Sequence, residues 1–315
     1  MPDPIQILES LAATMVAAVV VVLLANWPWK TAHSQQTAVG CLLGVAAGFV
    51  VGCWRLQVKP NWPPIVDQDR LLLVLLPAVV LVEVFATVAY RHGRLVWPLR
   101  GVIAATAAWI LLYNSSYLAD LAGPGSREWT PTQVWVTLCS LALSLLGVWF
   151  VVIYLEHRCP TRAVPLSLSM SCVGAAITVM LSGYASGGQL GFPLAAAVAG
   201  AIGASLVLPD VPDLEGVTAF GVVGLFSLLV VGLFFGRLAM TNAILLGFSP
   251  LLCWLPELLP TRRWKLPVRN LLRLTCVALP IIIAVALAQQ KFVVDSSGPS
   301  STSGDSSVDD YLQYK

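Results

Sequence analysis

The stretch Ala163–Pro209 contains no lysine, arginine, aspartate or glutamate. Such a stretch is stable only in lipid or in the interior of a membrane protein. It is too long for one crossing, because about 20 apolar residues span a bilayer. Turn-forming residues interrupt it at Ser182–Gln189 and again at Gly191–Pro193. We therefore predict a helical hairpin with arms at about Pro165–Gly183 and Phe192–Leu208.

Glycine, alanine and serine crowd this hairpin. Membrane helices gain little from burying apolar side chains away from lipid, so they associate where small residues let their backbones approach closely. We expect a tightly packed central helix pair. The alternative is a discontinuous or re-entrant element whose free backbone groups line a solute or ion path. The glycines expected at the close contacts are Gly174, Gly187, Gly188, Gly191, Gly200 and Gly203.

The rest of the chain is also membrane-like, with 57% hydrophobic and only 11% charged residues, against about 25% charged in soluble domains. It predicts an all-α polytopic integral membrane protein, a bundle of about ten transmembrane helices with short loops. The eighth and ninth segments are separated by little more than Gly236-Arg237, and their fusion would reduce the count to nine. The predicted spans are 6–26, 37–54, 71–90, 97–117, 133–155, 164–183, 190–208, 216–236, 238–258 and 270–289.

These spans form one predicted transmembrane domain, residues 1–290. Residues 291–315 are rich in serine, glycine and aspartate, and they predict a disordered C-terminal tail. Eleven lysines and arginines fall on the side of the loop 260–273 and seven on the other. The positive-inside rule therefore predicts a cytoplasmic loop 260–273 and external termini. Because no targeting signal is evident, we expect a bacterial inner (plasma) membrane.

Glu83 lies near the middle of the third predicted span, where a carboxylate is costly unless it is paired or protonated. Arg100, about one turn inside the fourth span, lies roughly opposite Ala86 if the two spans form a hairpin. We predict a buried Glu83–Arg100 ion pair that fixes this hairpin. Two alternatives remain: a proton or cation site, and a neutral Glu83 hydrogen-bonded to a hydroxyl such as that of Thr87 or Thr106.

Other polar residues within the predicted spans are few, and interhelical hydrogen bonding is their expected role. Gln189 and Asn242 are the two that, together with Glu83 and Arg100, are candidates to line a polar cavity. The sequence itself does not indicate that the four converge.

Two acidic clusters lie beside predicted spans. Asp67 and Asp69 form a D-x-D pair before the third span, and we expect them to cap that helix. The alternative is a metal site on a sugar-nucleotide donor. Asp213 and Glu215 are expected to cap the eighth helix and to interact with its dipole. The alternative is a cation site for Ca²⁺ or Mg²⁺ that also includes Asp210.

No cysteine pair or histidine cluster has the spacing of metal ligands, so we expect neither a metal site nor a cofactor. Known catalytic motifs are also missing, so no catalytic residue is predicted, and an enzyme is less expected than a non-catalytic protein. The net charge of +2 gives no reason to expect a nucleic-acid partner. The expected partners are the lipid bilayer and a small solute or ion, with a homo-oligomer or a protein bound by the tail as further options.

Three functions are compatible with these patterns. The first is a transporter or permease for a small solute or ion, which the span number, the broken hairpin and Glu83 favour. The second is a non-catalytic scaffold or anchoring protein. The third is an intramembrane enzyme that acts on lipid or lipid-linked sugar.

Overall fold

The computed structural model describes residues 4–27, 34–88, 93–115, 117–118, 129–158, 162–208, 213–258 and 266–297. Within these ranges the regular structure is helical, and nine helices are long and apolar enough to cross a membrane. The chain is an all-α polytopic integral membrane protein, as predicted. Its helices are α1 (Pro4–Ala25), α2 (Ser34–Arg55), α3 (Asp67–Val88), α4 (Gly93–Leu112), α5 (Pro131–Arg158), α6 (Ala163–Leu181), α7 (Gly191–Ser205), α8 (Glu215–Phe234), α9 (Met240–Phe248) and α10 (Leu266–Ser297).

The ninth predicted span is a shorter apolar segment, separate from α8. Helix α9 continues as a 3₁₀-helix, Ser249–Trp254. Because a 3₁₀-helix rises about 2.0 Å per residue against 1.5 Å in an α-helix, the two pieces together reach about 25 Å. Ser249 Oγ lies 2.7 Å from Ser171 Oγ in the middle of α6, and Cys253 Sγ lies 4.0 Å from the carbonyl oxygen of Ala163 at its start. The broken segment therefore runs beside α6 over most of its length.

Helices α6 and α7 form the predicted hairpin. Helix α6 ends because Gly183 adopts a left-handed conformation, with φ of 93°. The N–H groups of Gly183 and Tyr184 donate to the carbonyls of Met180 and Val179, which is the Schellman pattern of a helix C-terminus. A one-turn helix, Ala185–Gly188, then leads into α7. Halfway along the hairpin, Ser169 Oγ donates to the carbonyl of Ala195 over 2.9 Å.

Helix α8 lies at the centre of the bundle. Of its most apolar stretch 83% is buried, against 67% for α6 and 22% for α1. It contacts helices on every side: α2, α3, α4, α5, α6, α7 and α9. Glycines allow this close packing, since a Cβ at Gly224 would lie 2.5 Å from Leu194 of α7 and one at Gly232 would lie 2.6 Å from Val179 of α6.

Helices α1 and α2 pack as closely as the central hairpin does. Glycines recur every fourth residue along one face of α2, and α1 presents to that face a stripe of its own buried residues. A Cβ on any of these glycines would lie within 3.0 Å of α1 or of Asn26, the residue that follows it, so only glycine permits the observed distance. The facing positions are Gly40, Gly44, Gly48 and Gly52 on α2 and Ser10, Thr14, Ala18 and Val22 on α1.

Helix α10 extends to Ser297, seven residues beyond the predicted domain boundary at 290. Residues 298–315 lie outside the described part of the chain, so the disorder of the tail stays a prediction. The orientation and the kind of host membrane are likewise predictions.

Candidate functional site

Glu83 and Arg100 form a buried, bidentate ion pair between α3 and α4. Arg100 Nε donates to Glu83 Oε1 over 2.7 Å, and Nη2 donates to Oε2 over 2.6 Å. Both residues are 1% exposed. The hydroxyl of Thr87 donates to the backbone carbonyl of Glu83, and that of Thr106 to the carbonyls of Val102 and Ile103. The geometry therefore matches the predicted ion pair rather than the neutral, hydroxyl-bonded carboxyl group.

A third charged residue, Glu215, completes this site. Its Oε1 lies 2.7 Å from Arg100 Nη1, so one guanidinium bridges two carboxylates. His157 Nε2 lies 3.9 Å from the other oxygen of Glu215. The side chain of Glu215 is 24% exposed, whereas that of Glu83 is 2% exposed. The three residues Glu83, Arg100 and Glu215 thus form a polar chain from the bundle interior to an accessible surface.

Glu215 is held in place by the start of α8. It is the first residue of that helix, and its N–H donates to Asp213 Oδ1 over 3.0 Å. Leu214 occupies the N-cap position, so Asp213 forms a local turn just before the helix instead of the expected N-cap. The sequence prediction treated Glu215 as part of the helix cap, with a cation site in its acidic cluster as the alternative, and missed its contact with Arg100. The two residues are far apart in sequence, and only the packing of α8 against α4 joins them.

Two tryptophan rings flank the guanidinium of Arg100. Its Cζ lies 5.2 Å from the ring centroid of Trp97 and 5.8 Å from that of Trp149. Aromatic faces attract cations, most strongly where water is excluded. These rings therefore help to offset the cost of burying Arg100.

The ion-pair site faces a cavity of about 1000 Å³. It opens at the end of the bundle where α2, α4 and α8 begin and α3 and α5 end. We call it the polar cavity. The residues that line it are Gln35, Ala38, Glu83, Ala86, Thr87, Val96, Trp97, Arg100, Phe150, Ile153, Tyr154, His157, Asp213, Glu215 and Gly216.

Aromatic residues cluster at the opposite end of the same helices. Tyr117, Trp129 and Phe234 meet with ring centroids 4.8 to 5.5 Å apart. The hydroxyl of Tyr117 donates to the carbonyl of Phe234 over 2.9 Å. This aromatic cluster ties the ends of α4 and α8 to the segment that leads into α5.

The other two candidate polar residues lie away from the polar cavity. Gln189 belongs to the turn between α6 and α7, and Asn242 lies at the start of α9. Asn242 lines a second cavity, of about 470 Å³, together with residues of the α6–α7 and α8–α9 turns and of α10. Glu83 and Arg100 therefore lie at one end of the bundle, and Gln189 and Asn242 lie at the other end. Successive helices run in opposite directions, so the α6–α7 and α8–α9 turns share the end opposite the polar cavity.

Asp67 and Asp69 do not form an accessible metal site. They are 4% and 5% exposed, and Asp67 accepts a hydrogen bond of 2.8 Å from the hydroxyl of Tyr184. Val66 occupies the N-cap position, so the expected capping by Asp67 is replaced by this contact with the α6–α7 turn. Tyr184 keeps its proton because burial and the charge of Asp67 raise its pKa to about 12.

The predicted hairpin glycines occupy different environments. Gly188 and Gly191 lie against the backbone of α6, and Gly187 lies against the ring of Tyr184. Gly200 packs on α1, and Gly174 packs on Ile281 of α10. A Cβ at Gly203, in contrast, would meet open space, so this residue is not at a close helix contact.

The chain matches no protein-family model and no curated protein sequence. Functional inference therefore depends on the geometry described above.

Proposed function

We propose that the protein is a transporter for a small solute and that the polar cavity is its solute site. The observation that carries this proposal is the position of a fully buried ion pair on the wall of a cavity of about 1000 Å³. Charged residues inside membrane domains typically pair with each other or face water-filled cavities on substrate paths. Glu83, Arg100 and Glu215 pair with each other and also line the polar cavity.

The number of charges in the cluster supports a role beyond fixing the α3–α4 hairpin. Glu83 alone already neutralises Arg100 through two hydrogen bonds. Replacing a buried ion pair by apolar residues is often neutral or stabilising, so stability alone is a weak reason to keep one. The additional carboxylate of Glu215 extends the charged surface to the accessible part of the cavity, where a solute can reach it.

The shape of the bundle also supports transport. The polar cavity opens at one end, and the aromatic side chains of Tyr117, Trp129 and Phe234 pack together at the other end of the same helices. Access from one side at a time is what a transporter requires. The open end is the one that the distribution of lysine and arginine predicts to be cytoplasmic.

A cavity-filling variant tests the proposal. Ala86 lines the cavity, and Ala105 is exposed on the outer face of α4. In proteoliposomes that are offered radiolabelled amines, amino acids, sugars and carboxylates, we expect wild-type protein to take up one solute class. Ala86→Trp should reduce that uptake about tenfold or more, which corresponds to about 1.4 kcal/mol in binding.

Ala105→Trp is the matched control, because it adds the same side chain outside the cavity. It should leave uptake unchanged. If the wild type takes up none of these solutes, or if both tryptophan variants transport equally well, the polar cavity is not a transport site. The scaffold hypothesis would then take precedence.

A further inference from the structure

The polar cavity carries an excess of negative charge. Among the described residues that line it, three are carboxylates and one is a guanidinium. At the rim, the guanidinium of Arg158 lies 5.2 Å from the ring of Tyr154 and offsets part of this excess. Even with Arg158 included, these groups sum to a charge of −1, counting three carboxylates and two guanidiniums and taking His157 as neutral.

Arg100 does not offer an anion a binding site. Three of its nitrogens already donate to Glu83 or lie in contact with Glu215. An anionic solute would have to displace one of these carboxylates and would be repelled by the other. A cationic solute instead meets Glu215, whose side chain is 24% exposed, and Asp213, which is exposed.

Aromatic faces line the accessible part of the same cavity. Trp97 and Phe150 contact each other with centroids 5.1 Å apart, and Phe150 and Tyr154 are 53% and 45% exposed. Two rings of this site already form cation–π contacts within the protein, since Arg100 lies over Trp97 and Arg158 lies over Tyr154. Carboxylates beside aromatic faces are the surroundings that bind ammonium groups.

The size of the cavity distinguishes an organic cation from a bare metal ion. A divalent metal ion needs several oxygen ligands at about 2.0–2.6 Å. Among the residues that the structure describes, no three acidic, histidine or cysteine side chains converge in that way. A volume of about 1000 Å³ is at the upper end of the range for small-molecule sites, about 300–1000 Å³.

We infer that the polar cavity binds a small organic cation, a protonated amine or a quaternary ammonium compound. The positive charge of the bound cation lies near Glu215 and Asp213, and the apolar part of the cation lies against Trp97, Phe150 and Tyr154. This inference rests on the proposed transport function and specifies the substrate class of the same site.

Choline and its uncharged carbon isostere, in which carbon replaces the nitrogen, form a matched pair of probes. Binding to the purified full-length protein in detergent is measured by tryptophan fluorescence and by thermal stabilisation. We expect choline to bind and the isostere to bind about tenfold more weakly or not at all. Acetate, the anionic probe, should not bind.

Two variants with matched controls identify the groups responsible. Glu215→Gln should weaken choline binding about tenfold, whereas Glu9→Gln, at an exposed position on α1, should not change it. Phe150→Leu should weaken binding about two- to fivefold, against no change for Phe248→Leu, which alters an exposed phenylalanine of α9. If Glu215→Gln does not fold, Phe150→Leu still tests the inference.

The outcomes separate the inference from the proposal on which it rests. Equal binding of choline and its isostere, or preferential binding of acetate, would overturn the cationic class while leaving a solute site in place. If the uptake assay finds no transported solute and none of the three probes binds, the transport function and the inference fail together. Choline binding that is insensitive to both Glu215→Gln and Phe150→Leu would locate the cation elsewhere and overturn the inference.

Discussion

Two of the buried carboxylates on helix α3 have opposite surroundings. Glu83 and Asp67 are 1% and 4% exposed, and they lie about 24 Å apart along the helix. Glu83 is bound by the charged guanidinium of Arg100 and faces the polar cavity. Asp67 is bound by the neutral phenol of Tyr184, in a region where the α6–α7 turn packs closely.

The comparison shows that burial of a carboxylate does not by itself indicate a functional site. Both groups satisfy the requirement that a buried charge has a partner. Only Glu83 belongs to a cluster with surplus charge and with space for a solute. Asp67 holds the turn between the two central helices in place, which is a structural role.

The largest expected effect is at the charged pair. Arg100→Gln leaves Glu83 buried without a counter-charge, so we expect a loss of about 3–5 kcal/mol in unfolding free energy. The measurement is apparent thermal stability and folded yield in detergent. Arg55→Gln is the matched control, because it removes a pair with Glu9 in which both side chains are about half exposed, and it should cost less than about 1 kcal/mol.

A double variant sharpens this test. Glu83→Gln combined with Arg100→Gln removes both charges, so it should be more stable than Arg100→Gln alone. If Arg100→Gln is no less stable than Arg55→Gln, the pair is not structural, and the contrast with an exposed ion pair disappears.

The second effect is at the other end of α3. Tyr184→Phe removes the donor to Asp67 and should lower stability by about 1.5–3 kcal/mol, the usual value for a hydrogen bond to a charged group. Solute binding in the polar cavity should not change. Tyr154→Phe is the matched control, since it removes an exposed phenol at the cavity rim and should leave stability almost unaffected.

The pH dependence gives an independent check on Tyr184. Its pKa is raised from 10.0 to about 12, so the folded protein holds this proton more tightly than the unfolded chain does. The corresponding stabilisation is present below about pH 10 and is lost as the pH rises toward about 12. The wild type should show this loss, and Tyr184→Phe should lack that component. An identical alkaline loss in both proteins would contradict the role of Tyr184.

The sequence predicted the features that involve segments adjacent to each other along the chain. The class of fold, the α6–α7 hairpin and the Glu83–Arg100 pair follow from apolar runs and short turns. The partners of these features come from distant segments, and no local pattern indicates that Glu215 reaches Arg100 or that Tyr184 reaches Asp67. One available signal was overlooked, the glycine repeat of α2 from Gly40 to Gly52. Its glycines recur every fourth residue, a spacing that lets two membrane helices approach closely, and it predicts the close packing with α1.

The smallest expected effects concern single methyl groups, and they test whether close packing is specific to the end of the bundle that holds Tyr184. A Cβ at Gly188 would lie 2.8 Å from the carbonyl oxygen of Ala176, a backbone atom that cannot move without shifting α6. Gly188→Ala should therefore lower stability by about 1–2 kcal/mol. Gly203 lies toward the other end, where a Cβ meets open space, so Gly203→Ala should raise stability by up to about 1 kcal/mol through helix propensity.

Thermal unfolding of both variants in the same detergent measures this difference. The two substitutions are chemically identical, so opposite signs can arise only from their surroundings. Equal effects would mean that the α6–α7 turn can separate from α6 without cost. In that case Asp67 and Tyr184 would lie in a region that is free to move, and the α6–α7 turn would become a candidate moving part for the proposed transport function.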